Sequence, residues 1–255
     1  MEEMAAKEKK RQDFPSISIV IPAHKPGTSL DECLEAVRAS DYPDYEVVIV
    51  DDASPVPVET PAGETGRTRV IRLDRNIGPA GARNAGVEAA SGEIILFVDT
   101  DVLIGPDCLE RVGDYFRKEK NREKGLTGIH RERMRFSNFA SQYKNLWLRY
   151  SFLKSPAESA LFYTSIAAVP RRLFQKLGGF DSGYRTPSLE DTDFGNRIWE
   201  SGGAVRVDPD LEVEHNKFYS LRSLLKNDFK RAAEETRTWL RNRGKTDRLF
   251  EGRTS

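Results

Sequence analysis

The chain has 255 residues, with 40 Lys and Arg against 40 Asp and Glu. That length suits one α/β domain, or one with a small appendage, and the balanced charge offers no global field pointing to nucleic acid. Cys33 and Cys108 lack metal-ligand spacing, so a reduced, cytoplasmic setting is the expectation, and no apolar run approaches a membrane span.

In chain order, residues 1–14 are mostly charged or small and read as a flexible leader. Ile17-Ser18-Ile19-Val20-Ile21-Pro22 reads as a buried strand, closed by a proline that cannot donate to a ladder. After the loop Ala23-His24-Lys25-Pro26-Gly27, Leu30, Cys33, Leu34 and Val37 predict a helix over about 29–39. Tyr45 to Val50 is the next strand and ends in Asp51-Asp52; Val70 to Leu73 is a short one. The turn at Asn76-Ile77-Gly78 runs into a helix of small residues, and Ile94 to Val98 is again an uninterrupted apolar strand. Alternating strands and helices predict a doubly wound, mostly parallel sheet with right-handed crossovers.

Beyond Pro106 a helix over about 107–120 precedes a basic, poorly periodic segment ending near Phe136. Tyr143, Leu146, Trp147, Tyr150, Phe152 and Leu153 form a helix-spaced aromatic stripe among Lys144, Arg149 and Lys154. Such a stripe suits core packing or a surface contact. A strand over 160–169, a short helix over 171–177, a helix opening at Pro187 to Asp193 and a strand at Ala204 to Val207 follow, with Glu212 to His215 soon after. From 217 onward eleven Lys and Arg face five Asp and Glu on an amphipathic helical pattern. The expected organisation is a leader (1–14), one half of a domain (15–104), the other half of the same domain (105–216) and a basic helical tail (217–255).

Three apolar strands end in polar or acidic groups at one sheet edge: Pro22-Ala23-His24, Asp51-Asp52 and Asp99-Thr100-Asp101. Ligands of open parallel sheets bind beyond the carboxyl ends of the strands. If strand geometry persists to Asp101, both carboxylates of that pair face one way and favour a cation between them; Mg²⁺ and Mn²⁺ suit such hard oxygens. The alternative is solvated turn aspartates or a helix cap. The glycines at 78, 81 and 86 miss the dinucleotide fingerprint, and the chain has no Walker A lysine motif.

Taken in order, Ser18 to Ala23, Val50-Asp51-Asp52-Ala53-Ser54, Asn76-Ile77-Gly78 with Ala82 to Gly86, Phe97 to Asp101, Gly178-Gly179-Phe180-Asp181 and Glu190-Asp191 resemble the motif series of family 2 glycosyltransferases. The resemblance covers roughly 16–220 and implies that 15–104 binds the nucleotide-sugar donor and 105–216 the acceptor, with the catalytic groups. It implies the inverting GT-A fold, a nucleotide-sugar donor (a UDP-sugar above all) and a divalent cation, Mn²⁺ or Mg²⁺. It further implies that Asp52, with Pro22, Ala23, His24 and Arg83, holds the base, with Asp51 beside it. Asp99 is implied as the ribose and metal contact beside Thr100, Asp101 as the metal ligand, and Asp191 as the catalytic base, with Glu190 binding the acceptor or orienting Asp191.

Inversion by direct displacement asks for one such base, although a carboxylate at a helix start also suits a cap. His215 reads either as a surface histidine or as a third metal ligand. No Gln-x-x-Arg-Trp motif follows Glu190-Asp191, which favours transfer of a single sugar. The expected acceptor is a glycan or lipid-linked molecule of the cell envelope. The basic and aromatic segments suggest contact with an anionic membrane at its cytoplasmic face; solvated helix faces are the alternative. A nucleotide-sugar pyrophosphorylase-like nucleotidyltransferase ranks second, since only Lys25 and Gly27 echo its activation motif. A catalytically silent sugar-binding scaffold is the non-enzymatic option.

Overall fold

Apolar runs with no polar interruption need cover on both faces, and the architecture supplies it. A computed structural model describes residues 14–59, 66–184 and 189–241. The leader up to residue 13, Pro187-Ser188 and the tail beyond 241 lie outside the described residues.

The N-terminal half runs β1 (Ile17–Ala23), α1 (Ser29–Arg38), β2 (Tyr45–Asp51), β3 (Thr68–Arg72), α2 (Gly78–Ala89) and β4 (Ile94–Val98). Then come β5 (Val102–Ile104), α3 (Cys108–Phe116), β6 (Gly125–His130), α4 (Phe139–Lys154), β7 (Glu158–Ser159), β8 (Ile166–Pro170) and α5 (Arg171–Lys176). The described chain closes with α6 (Glu190–Glu200), β9 (Val205–His215) and α7 (Leu221–Arg241). The strands form one sheet in the order β3-β2-β1-β4-β8-β6-β9-β5, with β7 on β9. β1, β2, β3 and β4 pair in parallel, as does β6 with β9; β8, β5 and β7 run antiparallel to their neighbours.

Alternation sorts the core into two layers. Ile17, Ile19 and Ile21 of β1, with Ile94, Leu96 and Val98 of β4, pack under α1 and α3. Val20, Val48, Ile95 and Phe97 face α2, α5 and α6. Phe97 meets Phe174 and Phe180 at ring centroid distances of 5.6 and 5.2 Å, and Phe180 meets Phe194 of α6 at 5.2 Å. This aromatic cluster seats the first turns of α6 against the sheet. At Gly86 a Cβ would lie 2.4 Å from Val20 Cγ1, so α2 approaches β1 as closely as only glycine allows.

Several boundaries differ from the sequence reading. The helix expected over 107–120 stops at Phe116 and passes into a 3₁₀ turn at Glu119–Asn121. The basic segment contains β6, a fully buried strand whose Gly125 and Gly128 dilute its apolar pattern. The expected strand over 160–169 is only Ile166–Pro170, and Glu212 to His215 continues β9 as part of one 11-residue strand. Of the aromatic stripe on α4 only Phe152 is buried; Tyr143, Leu146, Trp147, Tyr150 and Leu153 are exposed.

Candidate active site

Strand geometry ends at Val98, before the acidic pair. Asp99-Thr100-Asp101 forms a turn in which the Val102 N–H donates to the Asp99 carbonyl at 3.1 Å. The two carboxylates therefore take different partners instead of sharing a strand face.

Asp99 is paired with Arg83 of α2, whose Nη2 lies 2.8 Å from Asp99 Oδ1. The Nη1 of the same guanidinium lies 3.1 Å from Glu190 Oε1, at the start of α6. Arg83 and Glu190 are buried, so their charges need this pairing. Burial acts to depress Arg83, but Asp99 and Glu190 outweigh it and raise its pKa above the usual arginine value. Asp191, next to Glu190 and also buried, is pushed up to about 7 by burial and then by the Glu190 charge, against Arg231 and Arg83. Such a carboxylate changes protonation near neutrality.

Asp101 takes other partners, His215 and Lys217. Strand β5 runs antiparallel to β9 with Val102 opposite His215, and the Asn216 N–H donates to the Asp101 carbonyl at 2.7 Å. That register sets His215 Nε2 3.7 Å from Asp101 Oδ1 and Lys217 Nζ 3.0 Å from Asp101 Oδ2. Burial pushes the Asp101 carboxyl up, but His215 and Lys217 outweigh it and hold it well below the usual range. Among the described residues no three His, Cys, Asp or Glu side chains converge as a complete metal cage. Asp101 and His215 nevertheless offer an oxygen and a nitrogen donor side by side, with the Lys217 ammonium standing where positive charge is wanted. Two such donors could hold a divalent cation such as Mn²⁺ or Mg²⁺.

The acids after β2 are tied into the scaffold. Asp51 is fully buried, accepts from the Ser54 N–H at 2.9 Å and the Val58 N–H at 3.2 Å, and pairs with Arg72. Burial opposes its charge, but these donors keep its pKa below the ordinary range. Asp52 accepts from the Ile77 and Gly78 N–H groups at 2.8 and 2.9 Å. It thus satisfies donors at the start of α2, where a negative charge is favoured. His24 Nδ1 is 2.9 Å from the Asp52 carbonyl, and Asn76 Nδ2 is 3.2 Å from the same ring nitrogen. Pro22 and Ala23 end β1 beside this group, with Ala23 opposite Asp51. Arg83 itself is directed to Asp99 and Glu190, while Thr100 occupies the turn between the acids.

Two neighbours of the site escape sequence reasoning. Lys217 looks like any cation of the basic tail until β9 and β5 pair. His130, at the end of β6, is fully buried and stacks on His215 with ring centroids 4.7 Å apart. Burial and then the His215 ring lower its pKa to about 3, so it stays neutral. The only sequence signal for His130 is β6, which its glycines conceal.

A sheet whose parallel strand ends gather acids, crossed by antiparallel β8 and followed by an acidic helix start, defines a GT-A fold. Residues 18–178 match the model described as Glycosyl transferase family 2, and the chain belongs to that family. Residues 146–222 match a second one, described as N-terminal domain of galactosyltransferase. The succinoglycan biosynthesis protein ExoO of Rhizobium meliloti (strain 1021) is 39% identical over 100 residues, 38% of this chain and 29% of that protein. The mannosyltransferase PcManGT of Pyrobaculum calidifontis, in complex with GDP-Man and Mn²⁺, superposes with a TM-score of 0.66 at 21% identity, covering 93% of this chain and 67% of that one. GalNAc-T7 with UDP, GalNAc and Mn²⁺ superposes with a TM-score of 0.63 at 20% identity, covering 83% and 44%. The chain thus spans less than half the length of ExoO and of GalNAc-T7.

Proposed function

We propose that the protein is an inverting glycosyltransferase that moves a single sugar from a nucleoside diphosphate sugar, a UDP-sugar above all, to an acceptor hydroxyl. The observation that carries this reading is the guanidinium of Arg83, which joins Asp99 of the donor half to Glu190 beside Asp191. Family membership and the nucleotide-sugar complexes of PcManGT and GalNAc-T7 support it.

In this reading Asp52, with Pro22 to His24, flanks the base, and Asp51 braces the loop that carries it. Asp101 and His215, with Asp99 nearby, would hold Mn²⁺ or Mg²⁺, which would supply Lewis-acid neutralisation of the charge that gathers on the departing diphosphate. Asp191 takes the proton of the acceptor hydroxyl as its oxygen bonds to the anomeric carbon; the nucleoside diphosphate leaves with the electron pair of the broken bond. Burial, and then the charge of Glu190 held by Arg83, keep the basicity of Asp191 near neutral.

The acceptor in this reading is a cell-envelope or lipid-linked glycan, met at the cytoplasmic membrane face, in keeping with the succinoglycan role in the name of ExoO. A thermal-shift panel of nucleotide-sugars with Mn²⁺ tests the donor, because a ligand of the native state raises the melting point. The expected result is a rise with one donor and its nucleoside diphosphate. No rise with any nucleotide-sugar overturns the reading.

A further inference from the structure

Helix α4 contains no acidic residue from Phe139 to Lys154. It packs inward through Ala140, Leu148 and Phe152, yet leaves Phe139, Tyr143, Leu146, Trp147, Tyr150 and Leu153 exposed. At about 100° per residue these six occupy roughly a third of the helix circumference. A stripe of that width ordinarily faces a core, but here Trp147 and Tyr150 are 50% and 62% exposed.

Helix α7 repeats the arrangement. Leu221, Leu225 and Phe229 follow one another at four-residue intervals and are exposed, Phe229 at 79%. The neighbouring row is Arg222, Lys226 and Lys230, also exposed. Asp228 is the one acid between 221 and 233, and Lys144 of α4 takes it at 2.5 Å. The helices are joined where Ala140 packs with Tyr219 and Leu224 and where Asn138 Nδ2 donates to the Tyr219 carbonyl at 2.6 Å.

We propose that this helix pair is a docking surface for an anionic lipid bilayer. Aromatic rings and leucines beside a row of Lys and Arg are what a helix needs to lie in the headgroup boundary. Lys154 already folds over the Tyr150 ring, its Nζ 5.7 Å from the centroid, the posture of a cation whose head stays at the polar level. Up to residue 233, the described side chains of this face include almost no acids to serve a second copy of the chain as partners for these cations, whereas phosphate headgroups complement them.

The surface adjoins the site. The Tyr219 ring lies 6.5 Å from His215, and Arg231 of α7 acts on the charge of Asp191. A bilayer seated there brings a lipid-borne acceptor to the edge of the cleft, a consequence that rests on the function proposed above; the docking itself does not.

The test is flotation of the full chain, without donor or metal, on vesicles of phosphatidylcholine alone or mixed with phosphatidylglycerol, at low and high salt. The expected result is association with the anionic vesicles only, weakening as salt rises. Lys226→Gln with Lys230→Gln weakens it by roughly fivefold per charge removed. Tyr150→Ser with Leu153→Ser weakens it too, at an unchanged melting temperature. Association with neither vesicle overturns the proposal, as does equal association with both. So does a dimer in analytical ultracentrifugation that the Tyr150 and Leu153 changes dissolve. Donor binding is measured separately, so loss of docking with intact donor binding leaves the proposed transfer standing, and the reverse holds.

Discussion

Arg83 and Glu190 lie 107 positions apart and meet in the interior, Nη1 to Oε1 at 3.1 Å. The other arm of the guanidinium holds Asp99, so one buried cation fastens the turn after β4 to the start of α6. The turn after β4 and the start of α6 are thus tied through this one side chain as well as through the sheet.

Replacing Arg83 with Met should therefore destabilise the protein by about 3 kcal/mol or more, since it strands a buried carboxylate. The urea midpoint measures this. Glu190→Gln on the Arg83→Met background should recover part of the loss, so the double change costs less than the sum of the single ones. Additive effects would mean that the pair does not act as a unit.

Asp191→Asn should lower transfer by about 10²–10⁴-fold, the usual worth of a general base, with donor affinity nearly unchanged in calorimetry. In the wild type the rate should rise with pH through about 7, where Asp191 ionises. A flat profile between about pH 5 and 8 would move the base elsewhere, with Glu190 the first place to look.

The same carboxyl predicts a stability profile. Native Asp191 keeps its proton to about pH 7, an unfolded aspartate only to about 3.9. The native state thus binds more protons between these values. The resulting stabilisation is full below the unfolded pKa and is lost as pH rises through the folded one, at up to about 1.4 kcal/mol per pH unit. Urea midpoints should fall over that window more steeply in the wild type than in Asp191→Asn; parallel curves would refute the shift.

Asp101→Ala should abolish the gain in nucleoside diphosphate affinity that Mn²⁺ brings, because Asp101 and His215 are the adjoining donors. Calorimetry with and without the ion, on wild type and variant, decides this. A variant that still responds to Mn²⁺ as the wild type does would place the cation at other residues.

Gly86→Ala puts a methyl group 2.4 Å from Val20 Cγ1. Overpacking of this kind costs about 1–3 kcal/mol, more than the gain of about 1 kcal/mol in helix propensity. A thermal melt should show net destabilisation.

The sequence by itself determined the parallel strands of the N-terminal half. The apolar runs at Val47 to Val50 and Ile94 to Val98, and the run at Ile17 to Ile21 broken only by Ser18, read as covered strands, and each leads into polar or acidic residues at the same sheet edge. Local pattern suffices there because burial on both faces is written residue by residue. What the acids touch was decided by tertiary structure. A turn after Val98 sends Asp99 to Arg83 and Asp101 to His215 and Lys217, against the shared face that strand periodicity predicts.

The register of β5 on β9 sets His215 and Lys217 beside Asp101 across more than a hundred residues, and no local pattern encodes a long-range register. β6 escaped for a related reason. Its glycines admit close neighbours, a Cβ at Gly128 lying 2.5 Å from the Leu211 carbonyl, and thin out the apolar signal that marks a strand. The stripe on α4 has the spacing of a core face, but spacing says only that one side of a helix differs from the other. Whether that side meets protein or solvent depends on which elements pack over it, and in this fold none covers Trp147 or Tyr150 among the described residues.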